Sequence, residues 1–262
     1  MIRGKNYFIL NNSRFYILVF SILLSTLVLG YMRNSTASDQ LFIIRLQQIY
    51  GLASIILWYL AVIIGPMGHI VGKHRTKHLE FMRRAIGVSA FYFALLHFAI
   101  AFWGQLGGLS QLVYMPESFV LYTFLGLLAF VVLLALAVTS FDAAIKYMSY
   151  RRWKWLHRLI YIGLILALLH IWALGTHLLY PGVRIVFYVM ILALIAIELY
   201  PNIRRINDKY LHLKTSERIV LFLASWALAA ITVYTVPGFI QNVNSEHIKA
   251  IGDSKPSKGH GH

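Results

Sequence analysis

Three histidines of the 262-residue chain sit where imidazoles are rare. The stretch RRWKWLHRLIYIGLILALLHIW, residues 151–172, opens as a basic patch and turns apolar, carrying His157 and His170 thirteen positions apart. A second apolar run, AIGVSAFYFALLHFAIAFW over 85–103, carries His97. An imidazole can pass a proton, make a hydrogen bond at either nitrogen, or coordinate a metal. The remaining eight of the eleven histidines fall in loops, at helix mouths or in the C-terminal tail, where a solvated polar residue is the ordinary reading. Cysteine is absent, which excludes disulfides, thiolate metal sites, iron–sulfur ligation and covalently attached c-type heme.

Positioning these histidines is the work of membrane helices. Hydrophobic residues make up 59% of the chain and charged residues only 13%, against roughly 45–50% and 25% in a soluble domain. Seven apolar runs of about 20 residues are long enough to cross a bilayer. They cover 14–32, 44–67, 85–104, 118–141, 155–175, 183–203 and 218–237. The expected fold is all-α, a polytopic membrane bundle with a six-helix core and a seventh C-terminal transmembrane helix. The run from Tyr16 has no small-residue cleavage site behind it and reads as a retained first helix. No glycine-rich phosphate loop and no dinucleotide fingerprint occurs, so the chain brings no nucleotide-binding module of its own. No internal repeat is evident.

Lysine and arginine alternate along this plan. Segments 1–14, 68–84, 142–158 and 201–218 hold 3, 5, 5 and 5 of them, eighteen of the 24. Their bias puts the N-terminus inside and the C-terminus outside. The net charge of +15 then describes a cytoplasmic rim facing anionic lipid headgroups, and no nucleic acid is needed to explain it. The chain divides into an N-terminus (1–13), a core (14–203), a basic loop with the extra helix (204–237) and an outer tail (238–262). The tail's GHGH reads as a polar terminus.

Depth gives two of the histidines a shared level. His97 lies about 18 Å from the inner start of its helix near Ala85, and His170 about 22 Å from Trp155, at 1.5 Å per residue. Both helices run outward, so the two imidazoles stand at nearly the same height. That is the requirement for bis-histidine ligation of a heme between two helices. The competing reading is a pair of neutral histidines hydrogen-bonded to neighbouring helices; zinc would want a third or fourth ligand at that depth. His157 lies about 20 Å nearer the cytoplasm than His170 and cannot share the site. It is a candidate ligand of a second, interfacial heme, a donor-docking residue, or an interfacial polar residue.

The stretches MRRAIGVSAFYFALLHF (82–98), LAVTSFDAAIKYMSYRRWKWLHRLIY (136–161) and ILALLHIW (165–172) resemble the ferric reductase-like transmembrane family. The likeness is to its branch of heme-bearing membrane subunits of periplasmic methionine sulfoxide reductase systems. The shared pattern is RR-x-x-G and a deep histidine, a Thr–Ser helix end, a basic loop, W-x-x-L-H-R, and L-H-x-W. IYGLASIILWYLAVIIGPM (49–67) fits the family's second helix, and the likeness spans roughly residues 45–175.

The resemblance implies a b-type heme with His97 and His170 as its axial pair, and His157 in the place of the family's third histidine. It implies that Arg83 and Arg84, at the inner mouth, contact heme propionates or a flavin phosphate. The position after Gly51, often arginine in this branch, is Leu52, with Arg45 nearby as its substitute. Relatives with two hemes have a further histidine on the third helix that this chain lacks. The implied function is electron transfer across a bacterial-type inner membrane. The donor would be FMN or another flavin, a cytoplasmic flavin reductase, or a membrane quinol. The acceptor would be a separate extracytoplasmic reductase. Two other functions fit the residues: direct reduction of ferric iron or oxygen at the outer face, and a non-redox transporter or assembly protein with metal- or proton-binding histidines.

Overall fold

The computed structural model describes residues 5–71 and 73–206, with isolated positions between 216 and 227. The seventh apolar run and the GHGH tail lie, apart from those positions, outside the described residues. Among the described residues every regular element is helical: α1 (Lys5–Ser35), α2 (Asp39–Val71), α3 (Lys73–Ala99), α4 (Glu117–Val138), α5 (Asp142–Met148), α6 (Tyr150–His157), α7 (Leu159–Leu174) and α8 (Pro181–Ile206). Among the described residues six stretches are long and apolar enough to span a membrane: 14–35, 39–68, 74–105, 117–138, 150–174 and 181–205. They coincide with the first six apolar runs. The third starts about three turns of charged helix earlier than its apolar part, because KHRTKHLEFMRR continues α3 below the apolar segment. Residues up to Leu179 form one compact unit, α1 to α7. A second begins at Tyr180 and contains α8, a single long helix with Arg204 and Arg205 in its last turn.

Lipid is as apolar as leucine, so helices in a bilayer are joined by close packing and polar contacts more than by hydrophobic burial. The first three helices show how. Ser21 of α1 donates to Ser89 of α3 at 2.9 Å, Ser25 meets the Tyr92 hydroxyl at 2.7 Å, and Ser54 of α2 donates to the Ala90 carbonyl at 2.9 Å. The Tyr50 hydroxyl reaches the Ser25 carbonyl at 2.9 Å, and its ring packs with Phe93 and Leu46 in a buried cluster. Between α3 and α4 a run of aromatic contacts, Phe91–Phe130 and Phe98–Phe130, closes the space. Phe20, Leu27, Leu121, Val131, Ile162 and Ile165 are exposed, the face such helices turn to acyl chains.

Three local irregularities flank the histidine helices. Beyond His97, α3 widens into a π-helical turn over Ile100–Gln105, closed by Leu106 N–H to Ala101 carbonyl at 2.8 Å. Gly107 and Gly108, both at positive φ, then turn the chain away. α4 ends where Thr139 and Ser140 turn their hydroxyls back onto the Ala135 and Leu136 carbonyls of its last turn. The fifth span is two helices, α6 and α7, joined at Arg158 by shorter i→i+3 bonds.

Candidate functional site

His97 of α3 and His170 of α7 come together, with ring centroids 6.3 Å apart and planes crossed at 81°. Each ring is tied on its outer side to the helix that precedes it. His97 Nδ1 donates to the Gln47 carbonyl of α2 at 2.9 Å, and His170 Nδ1 donates to the Tyr122 carbonyl of α4 at 2.9 Å. A carbonyl can only accept, so the proton of each neutral ring is on Nδ1 and the lone pair on Nε2. This is how protein structures prepare a histidine for a metal: one nitrogen anchored, the other a ligand of fixed direction.

The spacing fits a single metal ion between the rings. Two nitrogen–metal bonds of about 2 Å each, with roughly 1 Å from each nitrogen to its ring centre, sum to about 6 Å. Among the described residues no group of three or more His, Cys, Asp or Glu gathers to form a zinc-type site, so any metal here takes its remaining ligands from elsewhere. A porphyrin supplies four. Room for the imidazoles comes from glycine: a Cβ on Gly51 would lie 2.9 Å from His97 Nδ1, and one on Gly126 2.6 Å from His170 Nδ1. Thr123 Oγ1 and His177 Nε2, the one beside Tyr122 and the other two turns beyond His170, are buried without a hydrogen-bond partner among the described residues.

The inner histidine is elsewhere, as its sequence position requires. His157 Nε2 meets the Thr139 hydroxyl at 3.3 Å, and the ring lies against Trp153 with centroids 4.1 Å apart. Trp153 in turn donates its Nε1 to the Thr139 carbonyl at 2.8 Å. The two arginines diverge. Arg83 turns into the bundle and donates Nε to the Ala61 carbonyl of α2 at 2.6 Å. Arg84 turns outward to Asp142 of α5 at 2.7 Å and covers the Trp153 ring from 5.3 Å. Arg14 of α1 reaches the same carboxylate at 3.9 Å. Arg45 is exposed near the start of α2, apart from this inner cluster.

Halfway between the two levels stands Trp58 of α2, 3% exposed, its ring edge against Gly163 of α7. Sequence reading passed over Trp58, Gly126 and the acceptor carbonyls of Gln47 and Tyr122. A backbone acceptor has no side-chain signature. The only trace in the sequence is a glycine one turn after each acceptor.

Six apolar helices, five of them in the unit that pairs two imidazoles in its interior, define an integral membrane protein with a two-histidine ligand site. Residues 50–168 match the family described as "Ferric reductase like transmembrane component", so that segment of the chain is similar to this family. The matched segment contains His97, His157, Arg83 and Arg84 and stops two residues short of His170.

Among curated proteins, the chain is 38% identical over 93 residues to the "Protein-methionine-sulfoxide reductase heme-binding subunit MsrQ" of Herminiimonas arsenicoxydans, covering 35% of this chain and 42% of that one. To the MsrQ of Ralstonia nicotianae it is 31% identical over 124 residues, 47% of this chain and 55% of the relative. It is also 37% identical over 116 residues to the "Magnetosome protein MamZ" of Magnetospirillum gryphiswaldense, 43% of this chain and 17% of the relative. The chain thus spans about half, or less, of the curated relatives it matches.

Proposed function

We propose that this chain is a b-type heme protein that carries electrons across a membrane, from a donor on the cytoplasmic side to an acceptor outside. The observation that carries the reading is the His97–His170 pair, crossed at 6.3 Å with both Nδ1 atoms anchored. The similarity to relatives named as heme-binding subunits supports it independently.

His97 and His170 would hold the heme through their Nε2 atoms, and the apolar helices around them would keep water from it. A heme held there would supply the one-electron couple. Arg83 and Arg84 keep positive charge at the inner mouth, with Arg151, Arg152, Lys154 and Arg158 around it, and so attract an anionic flavin phosphate or an acidic flavoprotein. His157, at that same mouth, is the candidate ligand or docking residue for an inner cofactor. With no nucleotide-binding loop among its motifs, the chain depends on a flavin reductase, a free flavin such as FMN, or a quinol for its electrons. The acceptor is an extracytoplasmic reductase, of methionine sulfoxide type by analogy with the MsrQ relatives. The basic residues orient the N-terminus inside and the C-terminus outside an inner-type membrane.

The test mixes the purified, heme-loaded chain with NADH, first alone and then with a flavin reductase and FMN. Heme reduction only in the second mixture is expected. Rapid reduction by NADH alone overturns the donor assignment.

A further inference from the structure

We infer that Gly51 and Gly126 are positioning residues for the histidine pair: each opens a helix carbonyl to an imidazole, and together they hold the two rings in crossed planes. The inference rests on the heme reading above and adds to it what orients the ligands.

In an α-helix the carbonyl of residue i already accepts from the N–H of residue i+4. The Cβ of residue i+4 normally stands beside that carbonyl and shields its second lone pair from a neighbouring helix. The acceptors here are Gln47 and Tyr122, and the residues four positions on are Gly51 and Gly126. A Cβ at these positions would fall 2.9 Å from His97 Nδ1 and 2.6 Å from His170 Nδ1, contacts closer than real Cβ atoms make. Either ring would have to leave its carbonyl or rotate. The arrangement occurs a third time, with a side chain that is not a histidine. Arg83 donates to the Ala61 carbonyl, and a Cβ on Gly65, again four residues on, would lie 2.8 Å from its guanidinium Nη1. Three long polar side chains from one helix of a pair therefore seat on a carbonyl of its neighbour at a glycine. Two of the sockets lie fourteen residues apart on α2, and their occupants fourteen apart on α3. Such recurrence argues for a device of the fold, since chance placement of glycine would not repeat the i, i+4 relation.

The consequence is electronic. An imidazole donates π density along the normal to its plane. Two parallel rings separate the iron's two π-symmetric d orbitals, whereas two crossed rings leave them nearly equal in energy. Rings at 81° belong to the second case. The ferric protein should then give the strongly anisotropic low-spin electron paramagnetic resonance signal, with a very large leading g value, in place of the rhombic signal of parallel rings.

The experiment records that spectrum, with the midpoint potential, on the full-length heme-loaded protein and on Gly51→Ala, Gly126→Ala and Gly87→Ala. Gly87 is on α3 with His97, and a Cβ there meets nothing within 4 Å, so it controls for substitution alone. The expected result is the crossed-ring signal in the wild type and in Gly87→Ala. Each socket variant should lose that signal, show a shifted potential, or lose its heme. A rhombic parallel-ring signal in the wild type overturns the inference, and this reading stands even where a socket variant fails to fold. Socket variants that keep the wild-type signal and potential also overturn it. A wild type that takes up no heme overturns the underlying functional reading instead, a distinct outcome.

Discussion

The indole of Trp153 lies 4.1 Å from the imidazole of His157, and the hydroxyl of Thr139 meets the Nε2 of that imidazole at 3.3 Å. The contact links the end of α4 to α6 and holds His157 at the inner mouth, about 20 Å by helix rise from His170. A single electron step over that distance is slow, so an inner cofactor near His157 would ease entry. His157→Ala is expected to slow heme reduction by a flavin reductase or quinol severalfold while leaving the visible bands of the outer pair unchanged. Stopped-flow reduction checks this, and an unaltered rate removes His157 from the electron path.

Arg83 carries structural weight that Arg84 does not. Its bond to the Ala61 carbonyl is charge-assisted and within the bundle, whereas Arg84 pairs with an Asp142 carboxylate whose side chain is 72% exposed. Hydrogen bonds to charged groups contribute about 1.5–3 kcal/mol, exposed ion pairs about 0–1 kcal/mol. Thermal unfolding in detergent should therefore show Arg83→Ala clearly destabilised and Arg84→Ala nearly unchanged. Equal losses in the two variants would contradict the assignment.

Much of this architecture was legible in the residues. The apolar runs predicted the six spans, because a helix in lipid must be apolar over its whole crossing. Equal depth paired His97 with His170, since helix rise converts residue counts directly into height. The same counting set His157 apart at the other level. What sequence could not show were relations made by the backbone. The sockets at Gly51, Gly65 and Gly126 depend on the register between antiparallel helices, and the acceptors are carbonyls that every residue has. Arg83 and Arg84 are adjacent and alike in sequence, yet 100° of helix turn sends one inward to Ala61 and the other to Asp142. The widening of α3 after His97 and the joint at Arg158 have no composition signal either.

The proposed orientation rests on the charge distribution, with eighteen of the 24 lysines and arginines in alternate segments. A reporter active only outside the cytoplasm should work when fused after Ser254 and fail when fused after Asp208. The opposite pattern would reverse the direction of the electron path.

The reduced-minus-oxidised visible spectrum of the purified protein tests the central claim most directly. The account predicts the sharp bands of a six-coordinate low-spin b heme in the wild type, abolished or strongly disturbed in both His97→Ala and His170→Ala. A wild type without heme bands, or two variants with the wild-type spectrum, would contradict it.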